Sequence, residues 1–276
     1  MDNAAEIQRL LELSGRIGRD PLLIQASSGN TSIKLGNTLW IKASGKWLAH
    51  AVTPDLLVPV TLDWFHTTGR VNHPNASIET AMHAVLPHRV VIHVHSVNTL
   101  AWAVRLDASA RVGECLAGLN WRWIPYVMSG QSLARAIQRS IHTDPEATVF
   151  VLGNHGLVIC GEDCDSAENL LGEVERRLAV VPRRYPDSTS ERILAGGFLY
   201  PCQAVFLGPS TALEPAMTPT QRAVLDGLLE VVRRVDPAAP IRYLSDAEIS
   251  TLLNEDAHRY RLVVEQNAVS SQNRLM

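Results

Sequence analysis

His93 and His95 flank one valine in the apolar run Val90-Val91-Ile92-His93-Val94-His95-Ser96. β-Branched residues favour a buried strand, and side chains along a strand repeat with a period of 2. The two imidazoles therefore share one face, close enough to grip one metal ion. A zinc-type centre that does chemistry has three protein ligands and one open position. The best third candidate is His155, in Gly153-Asn154-His155-Gly156-Leu157. Glycines on both sides let the backbone turn sharply and expose one side chain at a strand mouth. Three neutral imidazoles leave the ion's full positive charge available to polarise an oxygen. The competing readings are a plain turn residue for His155 and a His-x-His pair that binds nothing.

Glu79 lies near the start of a helix that ends just before the histidine strand. The short connection Pro87-His88-Arg89 folds that helix back beside the strand. A carboxylate there is a candidate fourth metal ligand or general acid/base; a glutamate that only complements the helix dipole would look the same. His83, one helical turn later, either orients Glu79 or packs within the helix. The other histidines, His50, His66, His73, His88, His142 and His258, lack ligand spacing and read as surface or loop residues. Ser27-Ser28-Gly29-Asn30 and Ser44-Gly45 sit at strand edges, where small residues with free N–H groups form nests for a phosphate or carboxylate. Ordinary turn chemistry explains the same residues. Lys34, Lys42 and Lys46 add positive charge nearby or point outward to solvent.

These residues need elements to hold them. Ile7, Leu10, Leu11 and Ile17 predict a helix over 4–18, closed by Gly18. Strands are expected over 31–35 and 38–43, joined by Gly36-Asn37, and over 57–62. Residues 66–75 read as a loop, and Ser77 caps a helix running to about 86. After the histidine strand come a helix over 97–104, a strand over 123–127 and a helix over 133–141. Strands over 148–152 and 155–160 precede an Asp-capped helix over 165–180. Residues 182–190 read as a connection, 204–207 as a short strand, and 220–235 and 246–267 as helices. Interleaved strands and helices with hairpins among them fit an α/β fold, a three-layer αβα sandwich with a mainly antiparallel central sheet. Residues 1–210 are expected to form the catalytic domain and 211–276 a helical extension packed on it.

The chain has 276 residues, 46% hydrophobic and 19% charged, which is the composition of an ordinary globular protein. A net charge of -3 excludes the cation excess that a nucleic-acid partner requires. No apolar run approaches the roughly 20 residues of a membrane helix. The acidic start does not read as a signal peptide. Four cysteines, Cys115, Cys160, Cys164 and Cys202, are sparse, so a reducing cytoplasm is the expected compartment and buried apolar packing their expected role.

Taken in order, Gly29-Asn30-Thr31-Ser32, Ala43-Ser44-Gly45, Ser77-Ile78-Glu79 with His83, His93-Val94-His95 and Asn154-His155-Gly156-Leu157 resemble the class II aldolase/adducin family. Its members include fuculose-phosphate and rhamnulose-phosphate aldolases. The likeness covers about residues 5–180. Ala204 to Pro209 and His258-Arg259-Tyr260 are similar to the aldolase part of rhamnulose-phosphate aldolase/alcohol dehydrogenase fusions. No dehydrogenase part is expected in these residues, since no Gly-x-Gly-x-x-Gly follows a strand.

The resemblance implies Zn2+, with Mn2+ or Co2+ as alternatives, held by His93, His95 and His155. It implies Glu79 as the acid/base, touching the metal at rest, and an anion site of Ser27, Asn30, Ser44, Gly45 and Ser77. The implied activity is that of a metal-dependent lyase. It would break a carbon–carbon bond of a ketose phosphate or related hydroxy-keto compound through a metal-stabilised enediolate. Decarboxylation of a keto acid or aromatic carboxylate is the alternative on the same fold, and a non-catalytic adducin-like interaction module is the alternative of another class. The retained ligands and Glu79 count against the last. The implied partners are a small molecule, either a sugar phosphate or a keto acid, and three further copies in a homotetramer, with neither nucleic acid nor membrane. Two departures stand out. Ile78 occupies the place where phosphate-binding members often carry a second serine, which shifts weight toward a non-phosphorylated keto acid. Leu119-Asn120-Trp121 lacks the tyrosine those aldolases bring from a neighbouring subunit, leaving Tyr126 as a candidate. Residues 182–276 are either a cap over the site or an oligomer contact.

Overall fold

The computed structural model describes residues 3–51, 54–184, 187–208 and 217–255. Its strands are β1 (Asn30–Leu35), β2 (Thr38–Lys42), β3 (Leu57–Thr61), β4 (Val90–Val94), β5 (Trp121–Ile124), β6 (Val149–Leu152) and β7 (Gly156–Gly161). They form one sheet in the order β3-β2-β1-β4-β7-β6-β5. Every neighbouring pair is antiparallel except β5 and β6. The helices are α1 (Asn3–Gly18), α2 (Leu62–Thr68), α3 (Thr80–Val85), α4 (Val97–Ala103), α5 (Ala108–Cys115), α6 (Gln131–Thr143), α7 (Cys164–Leu178), α8 (Asp187–Ala195), α9 (Pro219–Val232) and α10 (Asp246–Asn254).

β4 is buried along its whole length, so both its faces must be covered. Val90, Ile92 and Val94 pack with Leu10 and Leu11 of α1 and with Leu171 and Val174 of α7. Val91 packs on the other face with Met82 of α3 and with Leu133 and Ile137 of α6. Helices on both sides of a mainly antiparallel sheet make the expected three-layer sandwich. His93 is in phase with Val91, which directs it to the α3 face. A further cluster joins α4, α9 and the stretch Leu199–Leu207, so the C-terminal helices pack directly behind the chain that follows His95.

Several expectations change. The loop expected over 66–75 begins as α2, because Leu62 and Phe65 bury one helical face beneath a polar exterior. α5 was not anticipated, and α8 begins within the connection expected over 182–190. β5 lies at Trp121–Ile124 rather than 123–127, paired to β6. Residues 204–207 are not a strand: Gln203–Leu207 is one turn of π-helix with all five residues buried. A short apolar run carries no period that separates a strand from a buried helix. The domain boundary expected at 210/211, Pro209, the His258-Arg259-Tyr260 motif and the end of the helix expected over 246–267 lie outside the described residues. Among the described residues no helix is long and apolar enough to cross a membrane.

Candidate metal centre

Antiparallel pairing sets Asn30 opposite His93 and Ser32 opposite Val91. His95 follows the end of β4, and its Nε2 lies 3.2 Å from His93 Nε2. The turn between β6 and β7 brings in His155. Its close approach depends on Gly156, whose φ is +155° and whose Cβ, if present, would lie 2.4 Å from Val94 O. Gly29 plays the same part on the other flank, with φ +63° and a virtual Cβ 2.7 Å from His93 O. The three ring centroids are 5.0, 5.0 and 5.2 Å apart, with interplanar angles of 67–75°. The rings meet by their edges, and one nitrogen from each falls within 4.8 Å of the others. His93 Nδ1 donates to Leu157 O at 3.0 Å. A carbonyl only accepts, so the proton sits on Nδ1 and the Nε2 lone pair faces the other imidazoles. Buried, convergent nitrogen donors fit a divalent transition metal.

Glu79 is the N-cap of α3, but its side chain makes no capping bond. Its carboxylate turns into the site instead, with Oε1 3.1 Å from His155 Nε2 and Oε2 3.3 Å from His93 Nε2. Asn30 Nδ2 donates to Oε2 at 2.8 Å and Ser129 Oγ to Oε1 at 3.3 Å. Burial alone would raise the Glu79 pKa, but His93, His155 and His95 outweigh it and hold the carboxyl well below its ordinary value. The His83 imidazole reaches Asn30 rather than the Glu79 carboxylate: its Nε2 makes a short bond with Asn30 Oδ1, and its Nδ1 lies 2.7 Å from Ser32 Oγ.

The expected anion residues are gathered only in part. Ser77 Oγ accepts from Asn30 Nδ2 and from the Glu79 N–H, both at 3.3 Å. The antiparallel Ala43–Ala76 bridge sets Lys42 opposite Ser77 and Ser44 opposite Asn75, whose carbonyl accepts the Ser44 N–H at 2.8 Å. Lys42 is buried, not solvent-facing, and its Nζ donates to the carbonyls of Ser27 and Lys46 at 2.7 Å each. Lys34 instead holds the carbonyls of Leu86 and His88. The pocket containing Glu79, His95 and His155 is walled by Gly29, Ile78, Ser129, Pro201, Cys202, Val205 and Phe206. None of Ser27, Asn30, Ser44, Gly45 and Ser77 is among its lining residues. Tyr126 is also elsewhere, its hydroxyl donating to Met128 Sδ at 3.6 Å and its ring beneath Arg242. Ser129 and Cys202 were not anticipated; each reaches the pocket from a distant part of the chain, and no spacing in the sequence signals it.

A domain profile described as the class II aldolase and adducin N-terminal domain matches residues 8–181. The chain belongs to this family. The methylthioribulose-1-phosphate dehydratase of Microcystis aeruginosa is 30% identical over 167 residues, 54% of this chain and 82% of that protein. An uncharacterised oxidoreductase of Bacillus subtilis, YuxG, is 27% identical over 187 residues. That match covers 58% of this chain but only 27% of the Bacillus protein, so the chain spans about a quarter of that relative's length. The N-terminal class II aldolase domain of a conserved protein from Thermoplasma acidophilum superimposes with a TM-score of 0.57 at 22% identity. It covers 64% of this chain and 94% of that domain, which identifies the fold the two share.

Proposed function

We propose that this family member is a metal-dependent lyase that cleaves a carbon–carbon bond of a hydroxy-keto compound in the retro-aldol direction. His93, His95 and His155 would hold Zn2+, and Glu79 is the acid/base. One observation carries the reading. A buried carboxylate lies 3.1 and 3.3 Å from two of three imidazoles whose donor nitrogens converge. A divalent ion there supplies Lewis-acid stabilisation of the charge that develops on the substrate's carbonyl oxygen. The protein's own groups do the rest. Glu79 exchanges a proton with the substrate carbon or hydroxyl. Asn30 and Ser129 each hold one of its oxygens, so the carboxylate is preorganised rather than free to rotate. Ile78, Pro201, Val205 and Phe206 supply an apolar wall that keeps water from a carbanion-like species. Asn30, Ser77, Ser44, Gly45 and Ser27 are the candidate anion subsite, to which Ile78 contributes no hydroxyl. A cytoplasmic homotetramer working in carbohydrate metabolism is part of the same proposal.

A second reading is loss of water from a hydroxy-keto phosphate, favoured by the 30% identity with the Microcystis dehydratase. Both reactions begin with proton movement next to a carbonyl, which Glu79 can serve. The deciding experiment incubates zinc-loaded protein with aldehydes plus dihydroxyacetone phosphate, with ketose 1-phosphates, and with keto acids under carbon dioxide detection. Aldol product formed from the first mixture supports carbon–carbon cleavage. Water loss without new aldehyde establishes the dehydratase instead, and carbon dioxide release establishes the decarboxylase.

A further inference from the structure

The stretch Leu199–Leu207 lies beyond the family-matched residues 8–181, yet it reaches the centre of the site. Cys202 Sγ is 3.3 Å from His95 Nδ1, and both residues are 4% exposed. We infer that Cys202 is a positioning residue: its sulfur accepts the His95 Nδ1–H and so presents Nε2 to the cation. The inference rests on the metal-centre reading above.

The geometry repeats what happens one turn of the pleat earlier. His93 gives its Nδ1–H to Leu157 O, and the Nε2 atoms of His93 and His95 then face each other across 3.2 Å. A ligating imidazole needs an acceptor on its far nitrogen to fix tautomer and ring orientation. For His93 the backbone of β7 provides one; for His95 the chain provides a thiol.

The thiol is itself held in place. Asn154 Nδ2, in the turn that carries His155, donates to Leu199 O at 2.8 Å. Gln203 Oε1 accepts the Leu199 N–H at 2.7 Å, and Gln203 N–H bonds Tyr200 O at 3.2 Å. The residue before the π-turn therefore cannot drift away from His95 without breaking the contacts that also steady the His155 turn.

The test is zinc affinity, measured by competition with a chromophoric chelator, for the wild type, Cys202→Ala and Cys202→Ser. Alanine offers no acceptor and should weaken zinc binding by about ten- to a hundred-fold. Serine retains an acceptor and should stay within about threefold of the wild type on the same reasoning. Unchanged affinity in Cys202→Ala overturns the inference while leaving the three-histidine site standing. Equal loss in both variants also overturns it, because an acceptor alone would then not suffice. A wild-type chain that binds no zinc removes the metal reading and this inference together. Nitrogen-15 spectra of the zinc-loaded wild type provide a check that needs no variant: His95 should be protonated at Nδ1, and a proton on Nε2 contradicts the assignment.

Discussion

Asn30 and His93 are cross-strand partners in the β1–β4 ladder, and both reach the same atom, Glu79 Oε2, at 2.8 and 3.3 Å. Sheet register thus sets the distance between the proposed acid/base and a proposed metal ligand. Asn30→Ala removes a hydrogen bond to a charged group while sparing the ladder. A bond of that kind contributes about 1.5–3 kcal/mol, so turnover should fall about ten- to a hundred-fold. Zinc content should be unchanged, since Asn30 is not a donor to the ion. Parallel measurement of kcat and bound zinc checks this; loss of zinc in step with activity would contradict the assigned role.

Glu79→Gln keeps the shape of the side chain and its place at the α3 N-cap but cannot carry a proton between substrate atoms. Zinc should stay bound. Activity should drop by roughly two to four orders of magnitude, the usual worth of a positioned general acid/base. Normal turnover in this variant would remove Glu79 from the chemistry.

Purified, untagged protein should carry about one zinc per chain, as a three-histidine centre holds a single ion. Absence of metal would favour the interaction-module alternative. His155→Ala should lower occupancy sharply, because the β6–β7 turn offers no second donor. Chelation of the wild type should abolish activity and lower the melting temperature, with zinc restoring both, since an ion bound only by the folded state stabilises it by mass action. Elemental analysis and thermal melts with and without chelator read these outcomes.

The cluster of three histidines was legible because its determinants are local. His93-Val94-His95 on an apolar strand fixes two rings on one face, and the glycines on both sides of His155 mark a sharp turn that exposes its side chain. The antiparallel sheet was legible for the same reason, through the hairpin at Gly36-Asn37 and the run from Val90. What escaped depends on contacts across the chain. Cys202 meets the pocket only after α4, α9 and the Leu199–Leu207 stretch have packed together, and Ser129 only once α6 has packed on α3. The turn at Gln203–Leu207 is apolar throughout, so no alternation could reveal a helix. Lys42 is buried, and its Nζ holds the carbonyl of the equally buried Ser27. A buried lysine beneath a serine-rich turn has no signature in residue spacing.

His83 is fully buried between Ser32 and Asn30, and burial, reinforced by His93 and Lys34 and opposed by Glu79, lowers its pKa to about 3. In the unfolded chain the same imidazole titrates near 6.5. Between those values the unfolded state holds the extra proton, so stability falls as pH drops and is fully present only above pH 6.5. His83→Gln cannot take up that proton. The stability of the wild type relative to His83→Gln should therefore decline below pH 6.5, at up to about 1.4 kcal/mol per pH unit, and stay level above it. Urea unfolding of both proteins from pH 4.5 to 8, in chelator so that metal-linked protons do not contribute, measures the difference over about half of the window. A difference that stays constant across that range would show that His83 takes up its proton as readily in the fold as in the unfolded chain, and would contradict the neutral imidazole assigned between Ser32 and Asn30.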